Sequence, residues 1–142
     1  MNICLGASLS FLANELETED LEEIRLSNIS TLEVASSFFY PDFEENIYML
    51  NAVTGCGGLR IASVHASFGN IFDLSSEDPE IHKTAVNEVR HCLWLASQTG
   101  AEFVVVHSSF EPIADEERQH RKENVVRALR ECLDDARNYA VS

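Results

Sequence analysis

The chain has 142 residues, a formal net charge of −14 at pH 7, and 45% hydrophobic and 24% charged residues. This composition excludes an intrinsically disordered chain, and no apolar run approaches the roughly 20 residues that a membrane-spanning helix needs. The acidic balance repels phosphate backbones, so it argues against nonspecific nucleic-acid binding. The length predicts a single domain over residues 1–142.

The amino terminus and the cysteines indicate the cellular compartment. The first eleven residues, MNICLGASLSF, lack the basic segment that opens a secretory signal peptide. The four cysteines are far apart and have no CxxC spacing: Cys4, Cys56, Cys92 and Cys132. We expect them to be small buried residues in a reducing environment, and the protein to be cytoplasmic and free of membrane contact.

The first strand–helix unit and the second strand lie in the first 35 residues. Ile3–Ala7 predicts the first strand, and Thr18 is a candidate N-cap of a helix with an acidic first turn. Thr31–Ala35 predicts the second strand, which contains Glu33. A carboxylate in a buried strand is costly unless it is paired or coordinated. Glu33 therefore either belongs to a site or points at a solvated strand end.

The second helix follows Pro41 and ends at a glycine-rich segment. Its predicted inner face has helical spacing: Phe43, Ile47, Leu50 and Val53. The segment GCGG at residues 55–58 could be a phosphate-binding loop or a simple helix stop. Phosphate loops join a strand to a helix, whereas this segment precedes a strand, so the helix stop is the better interpretation.

Two similar segments end in a histidine. Residues 59–67, LRIASVHAS, predict a third strand over Arg60–His65, with Ile61, Ser63 and His65 on one face. Residues 101–109, AEFVVVHSS, predict a fourth strand that is apolar on both sides and ends at His107. If the two strands are parallel neighbours, both imidazoles emerge at the carboxyl edge of the sheet, where α/β folds place their chemistry.

The last two helices complete the pattern, and the loop at 66–78 that precedes the third helix is a candidate binding loop. Asp78 and Pro79 predict the start of the third helix and Gly100 its end. Its buried stripe is predicted as Ile81, Ala85, Val89, Cys92, Leu93 and Ala96. The fourth helix is predicted from near Asp115 or Glu116, with an inner stripe of Val125, Val126, Leu129, Cys132, Leu133 and Ala136. The remaining histidines are expected on the surface: His82, His91 and a solvated His120.

These elements give an α/β fold of four consecutive β-α units with a parallel sheet. The order of elements does not separate an open sheet from a barrel, because both begin in this way.

Three segments together resemble the xylose isomerase-like TIM barrels. They are LEVA in the second strand, VHAS at the end of the third, and DPEIHKTAVNEVRHCLWLASQTGAEFVVVHSS over the third helix and fourth strand. That superfamily contains sugar and sugar-phosphate isomerases and epimerases, and also the AP endonuclease family 2 branch. The resemblance implies half of a (β/α)8 barrel, the N-terminal half only, with the chain ending about where a fifth strand is expected.

The resemblance also suggests site residues. His65 and His107 match positions that help to bind zinc in the endonuclease-like branch and line the sugar pocket in many isomerases. Glu33 matches an acidic pocket position, so the substrate-binding set is Glu33, His65 and His107, and the metal ligands are His65 and His107. The implied cofactor is a divalent ion, Zn, Mn or Mg. Two histidines are a weak site, because catalytic zinc normally has three protein ligands.

Three functions remain open. The first is a sugar or sugar-phosphate isomerase or epimerase that moves a proton through an enediolate, with this chain incomplete for catalysis by itself. The second is a half-barrel that pairs with another copy in a homodimer and binds a metal or a small polyol without catalysis. The third, an AP endonuclease-like zinc hydrolase, is disfavoured by the charge and by the absence of prolines near the two histidines.

Overall fold

The computed structural model describes residues 5–9, 18–55 and 58–141. Four strands alternate with four α-helices in these ranges: β1 (Gly6–Ser8), α1 (Thr18–Leu26), β2 (Thr31–Ala35), α2 (Phe43–Gly55), β3 (Arg60–His65), α3 (Pro79–Thr99), β4 (Phe103–Val105) and α4 (Arg118–Tyr139). The predicted α/β class of four β-α units is confirmed. In this part of the chain, no helix has the length and apolarity to cross a membrane. Cys4, Cys56 and the start of the predicted first strand lie outside it.

All four strands are parallel, and their order in the sheet is β1-β2-β3-β4. Each new strand is added on the same side, so the order never reverses as it does at the switch point of a doubly wound sheet. This is the order of one half of an eight-stranded barrel. It also makes β3 and β4 direct neighbours, with His65 opposite Val105.

The core lies between the sheet and the helices that cover one of its faces. In β2, the buried side chains Leu32 and Val34 alternate with the partly exposed Thr31, Glu33 and Ala35. The buried partners from β3 and the helices include Ile61, Val64, Leu50, Val86, Cys92 and Leu95. Since side chains alternate along a strand, Glu33 lies on the face opposite the helices, which is the interior side of a barrel.

The face predicted for β3 is wrong at Ile61. The pairing with β2 shifts by one residue, so that Leu32 is opposite Ile61 but Glu33 is opposite Ser63. Because of this irregularity, Ile61 lies with Leu32 in the core, whereas Ser63 and His65 lie on the face of Glu33. In β4, Phe103 is opposite Ser63 and is 49% exposed, so its face of the strand is not covered as predicted. The strand also ends at Val105, two residues before the predicted end at His107.

Local sequence signals define both ends of α3. The Asp78 carboxylate accepts hydrogen bonds from the backbone N–H groups of Glu80, at 2.8 Å, and Ile81, at 3.4 Å. At the other end, Gly100 has a left-handed conformation with φ of 71°, and its N–H bonds to the carbonyl of Ala96. The predicted cap residues are therefore confirmed.

We expect Gly100→Ala to lower the free energy of unfolding by about 1 kcal/mol, because a Cβ atom is disfavoured at positive φ. Urea denaturation followed by circular dichroism measures the change. Lys83→Ala, at an exposed helical position of α3, is the control and should leave stability nearly unchanged. An equally stable Gly100→Ala protein would contradict the prediction.

Two of the three remaining histidines, His82 and His91, are less solvated than the sequence predicts, whereas His120 is exposed as predicted. His82 is 15% exposed in its side chain and lies 3.0 Å from the carboxylate of Glu131 on α4. His91 packs against Phe43 of α2 and Trp94, with ring centroids 5.2 and 5.6 Å apart. His120 is paired with Glu77 at 3.1 Å. The surface prediction is wrong for His82 and His91, because α4 and α2 cover the sides of α3 that a single-helix pattern leaves open.

The inner stripe of α4 also differs from the prediction. The helix begins at Arg118, after a turn at residues 115–117, and its buried side chains are Asn124, Ala128 and Cys132. Three residues predicted to be in the core are exposed instead: Val126 is 47% exposed, Leu129 37% and Leu133 46%. Only one side of α4 contacts α3, so an apolar strip along the helix has no cover in the described chain.

Candidate functional site

A cavity of about 340 Å³ lies at the carboxyl ends of the first three strands. This volume is at the lower end of the range typical of small-molecule sites. Its polar wall is formed mainly by side chains from the ends of β2 and β3 and the loops that follow them: Glu33, Ser36, Ser37, His65 and Ser67. The aromatic ring of Phe68 forms part of its apolar wall. The fold thus brings two of the three predicted substrate-binding residues, Glu33 and His65, to one cavity.

The carboxylate of Glu33 is held by the neighbouring strand. The Ser63 hydroxyl donates a hydrogen bond to Glu33 Oε2 at 3.2 Å. Both residues belong to the face that the helices do not cover, and Glu33 is only partly buried. The Glu33 side chain is partly exposed and lines the cavity, and its assignment to a functional site stays a prediction.

The two strand-end histidines are in direct contact. Their Nε2 atoms are 3.3 Å apart, and their ring centroids are 5.1 Å apart. His65 Nδ1 lies 2.9 Å from the carbonyl oxygen of Ala66, which accepts only, so this nitrogen carries the proton. In neutral His65 the Nε2 lone pair therefore accepts the hydrogen bond from His107 Nε2–H, or it can bind a cation in place of that bond. The ring of Phe68 stacks on that of His107, with centroids 4.5 Å apart.

The geometry of this pair fits two ligands of one metal ion. Two nitrogens on a tetrahedral zinc, with bonds of about 2.0–2.1 Å, are separated by about 3.3 Å. Metal-ligating histidines usually donate their other N–H to a carbonyl or carboxylate, as His65 does to Ala66. Within the described ranges, however, no group of three or more His, Cys, Asp or Glu residues could hold an ion. A third protein ligand would have to come from outside these ranges.

Glu88 is a structural feature of the site that sequence reasoning missed. It lies on α3, is only 9% exposed, and its Oε1 accepts hydrogen bonds from the Ser36 hydroxyl at 2.6 Å and the Ser67 N–H at 2.8 Å. Because Ser36 follows β2 and Ser67 follows β3, the Glu88 carboxylate links the segments that follow these two strands through hydrogen bonds. Glu88 is three residues after Ala85 and four before Cys92, so helical spacing could have placed it on the buried face.

The hydrogen bonds also keep Glu88 ionised. Burial raises the pKa of this carboxyl, but the bonds from Ser36 and Ser67 outweigh burial, and the pKa lies below its ordinary value. Burial is the main cause that raises the pKa of the neighbouring Cys92 thiol, whose sulfur is 3.7 Å from Glu88 Oε1. Cys92 is thus a protonated core residue, as predicted.

Only the beginning of the candidate binding loop at 66–78 reaches the cavity, through Ala66, Ser67 and Phe68. Farther along, the buried carboxylate of Asp73 accepts bonds from the N–H and hydroxyl of Ser75, at 2.8 and 2.6 Å. It also pairs with Arg121 of α4 at 3.2 Å. This second part of the loop anchors α4 to the rest of the domain.

Comparisons with known proteins agree with this architecture. The sequence matches the xylose isomerase-like TIM barrel family over residues 22–142. No curated protein matches it significantly. Among solved structures, a D-tagatose 3-epimerase-like protein is similar with a TM-score of 0.79 and 23% identity, over 99% of this chain and 51% of that one.

Two further structures have the same fold. The D-psicose 3-epimerase of Clostridium cellulolyticum, solved with D-tagatose, has a TM-score of 0.77 and 23% identity, over 98% of this chain and 50% of that one. A Thermus thermophilus protein soaked with ZnCl2 has a TM-score of 0.73 and 24% identity, over 99% of this chain and 54% of that one. This chain therefore spans about half the length of each similar structure. Its sequence match and its four-strand sheet show that it belongs to the xylose isomerase-like TIM barrel family.

Proposed function

We propose that this chain provides the N-terminal half of a divalent-metal-dependent sugar or sugar-phosphate isomerase or epimerase. The observation that carries the proposal is the cavity at the strand ends, where Glu33, His65 and several serine hydroxyls converge. Hydroxyl-rich walls suit a hydroxyl-rich ligand, since each buried polar group needs a partner. The similar solved proteins named as 3-epimerases support the same class of substrate.

The proposed reaction moves a proton on a carbon next to a carbonyl group. It needs a carboxylate or imidazole base, usually a second acid-base group, and stabilisation of the charge that develops on oxygen. Glu33 would accept either a proton from the substrate or a hydrogen bond from one of its hydroxyl groups. His65 lies in the same cavity. If His65 holds the metal ion, Glu33 is the acid-base side chain that remains in the described part of the cavity wall, so we expect this chain to be incomplete for catalysis by itself.

His65 and His107 would hold the divalent ion, and imidazole suits zinc better than magnesium. When bound, such an ion supplies a Lewis acid that polarises a carbonyl or hydroxyl oxygen. The ZnCl2-soaked Thermus protein of the same fold supports zinc as the first ion to try.

The proposal is tested with D-tagatose in deuterated solvent. Saturation-transfer NMR reports binding, and loss of the proton signal next to the carbonyl reports proton transfer. We expect the chain to bind the sugar without exchanging this proton, and Glu33→Gln to weaken binding about tenfold through loss of a charge-assisted hydrogen bond. If D-tagatose does not bind, or binds equally well to Glu33→Gln and to the unmodified protein, the proposed site is contradicted. If the proton next to the carbonyl exchanges with solvent, the chain is not incomplete for catalysis.

A second candidate, a homodimer of two half-barrels, is favoured by the uncovered strip on α4, defined as Val126, Leu129 and Leu133. In a barrel closed by two copies, β4 of one copy would pair with β1 of the other, which would place α4 beside the partner's α1. Six of the ten Lys and Arg residues lie on α4: Arg118, Arg121, Lys122, Arg127, Arg130 and Arg137. The first turn of α1 is acidic, with Glu19 and Asp20, and would lie near the basic residues of α4 that form no ion pair with another described residue, Lys122, Arg127 and Arg130.

The dimer would be disrupted by Leu129→Glu together with Leu133→Glu, because two carboxylates would be buried against the partner. We expect the mass measured by light scattering to fall from two chains to one at the same concentration. Tyr48→Glu on α2, where the tyrosine is 77% exposed, is the matched control and should leave the mass unchanged. A monomeric unmodified chain would refute this candidate.

A further inference from the structure

The directions of the hydrogen bonds around Glu88 follow from the number of protons that each group has. An ionised carboxylate only accepts, so the Ser36 hydroxyl must donate its single proton to Glu88 Oε1. Ser36 and Ser67 are also hydrogen-bonded to each other through their hydroxyl oxygens, at 3.0 Å. Since the proton of Ser36 is already used, Ser67 donates this bond. The protons of both hydroxyls thus point inward, from Ser67 to Ser36 to Glu88.

This arrangement determines what the cavity offers to a ligand. Ser67 lines the cavity, but its hydroxyl proton is directed away to Ser36, so its oxygen is left as an acceptor. The carboxylate of Glu33, in the same wall, is also an acceptor. A ligand that presents hydroxyl donors can form hydrogen bonds with both groups, whereas one that presents only acceptor oxygens cannot.

The charges around the cavity act in the same direction. Among the residues that the structure describes, neither Lys nor Arg lines the cavity, and two carboxylates, Glu33 and Glu88, lie in or directly behind its wall. The arginines at the start of α4 border a different cavity, next to Ser108 and Ser109. They are neutralised there by acidic partners: Arg118 by Glu111 and Asp115, and Arg121 by Asp73 and Glu117. Among the described residues, no Lys or Arg side chain is therefore placed to bind a phosphate group in the strand-end cavity.

We propose that the strand-end cavity binds the uncharged, hydroxyl-bearing part of a free sugar in preference to a phosphate ester, and that Glu88 is the positioning residue for this selectivity. Glu88 does not touch the ligand, but it orients the Ser36 and Ser67 protons inward and adds negative charge behind the wall. The inference rests on the proposed function, because it names the substrate class of the same site.

The first experiment compares three probes on the intact chain: D-tagatose, D-tagatose 1-phosphate and D-tagatose 6-phosphate. Binding constants are measured by NMR titration at one ionic strength. We expect the free sugar to bind at least about tenfold more tightly than either ester. An ester that binds as tightly as the sugar overturns this inference and leaves the proposed sugar site intact. Absence of binding by all three probes overturns both.

The second experiment changes the hydrogen-bond relay. Ser67→Ala removes the acceptor oxygen but leaves the backbone N–H of residue 67 bonded to Glu88. We expect it to weaken D-tagatose binding about threefold to tenfold, the effect of one hydrogen bond, in a protein that remains folded. Unchanged binding by a folded Ser67→Ala protein overturns the assignment of that oxygen.

Glu88→Gln tests the positioning role itself. Removal of the charge should weaken binding of the free sugar and reduce its preference over the two esters, a change in selectivity that a merely structural role would not produce. Glu80→Gln, at an exposed position on the same helix, is the matched control and should keep the selectivity of the unmodified protein. If Glu88→Gln prefers the free sugar over the two esters as strongly as the unmodified protein does, the proposal is overturned. If that variant does not fold, the effect of Ser67→Ala on D-tagatose binding decides.

Discussion

Replacing His107 with alanine is expected to weaken zinc binding by this chain about 100-fold. The Nε2 atoms of His65 and His107 are 3.3 Å apart, so they would share one ion, and the variant leaves a single imidazole. Loss of a residue that only hydrogen-bonds to a metal ligand already lowers metal affinity about 10- to 100-fold. Loss of a residue that binds the metal directly should lower it at least as much. Calorimetric titration with ZnCl2, together with metal analysis after dialysis, measures the effect.

The control for this prediction is His120→Ala. His120 is an exposed histidine whose side chain is paired with Glu77 rather than with either proposed ligand. Its removal should leave the zinc affinity unchanged, which separates the proposed site from general binding by surface imidazoles. The same zinc stoichiometry and affinity in His107→Ala and the unmodified protein would show that the two histidines do not form a metal site.

Replacing Glu88 with glutamine is expected to lower the free energy of unfolding by about 2 kcal/mol at pH 7. The change converts bonds to a charged acceptor into bonds to a neutral one, and bonds to charged groups contribute about 1.5–3 kcal/mol each. The affected bonds are those from the Ser36 hydroxyl and the Ser67 N–H. Urea denaturation gives the difference, and Glu80→Gln on the same helix should change it by less than about 0.5 kcal/mol.

The effect of Glu88→Gln should depend on pH in a defined direction. The pKa of Glu88 is lower in the folded protein than its ordinary value of 4.5. The stabilisation is therefore fully present above the pKa of the unfolded state and is lost as the pH falls through the folded pKa. The stability difference between the two proteins should shrink from neutral to acidic pH, and a constant difference would show that the charge of Glu88 is not what stabilises the fold.

Much of the fold could be predicted because it depends on short-range rules. The strands Thr31–Ala35 and Arg60–His65 have the bounds that the sequence indicates, since turns and polar residues flank runs of apolar, β-branched residues. The caps Asp78 and Gly100 were predictable because each acts on backbone groups within four residues of itself. The family resemblance extended these local predictions to the parallel, half-barrel order of strands, which the structure confirms.

Other predictions failed where the environment of a side chain is decided by a distant element. A single-helix pattern cannot tell which side of α4 contacts α3, so Leu129 and Leu133 were predicted as core although both are exposed. His91 was predicted on the surface, but the aromatic ring of Phe43 on α2 covers it. Glu88 was missed because a glutamate on a helix is ordinarily solvated, and its partners are 52 and 21 residues away in the chain.

The sequence by itself determined the α/β class, the position of most elements, and a histidine at or just beyond the ends of β3 and β4, because these features depend on spacing among near neighbours. Only the tertiary structure decided that His65 and His107, 42 residues apart, meet through their Nε2 atoms. It also decided that Glu33 lies across from Ser63 and that Glu88 joins two strand exits. The physical reason is that such contacts depend on strand register and helix packing, which are set by the whole core rather than by local spacing.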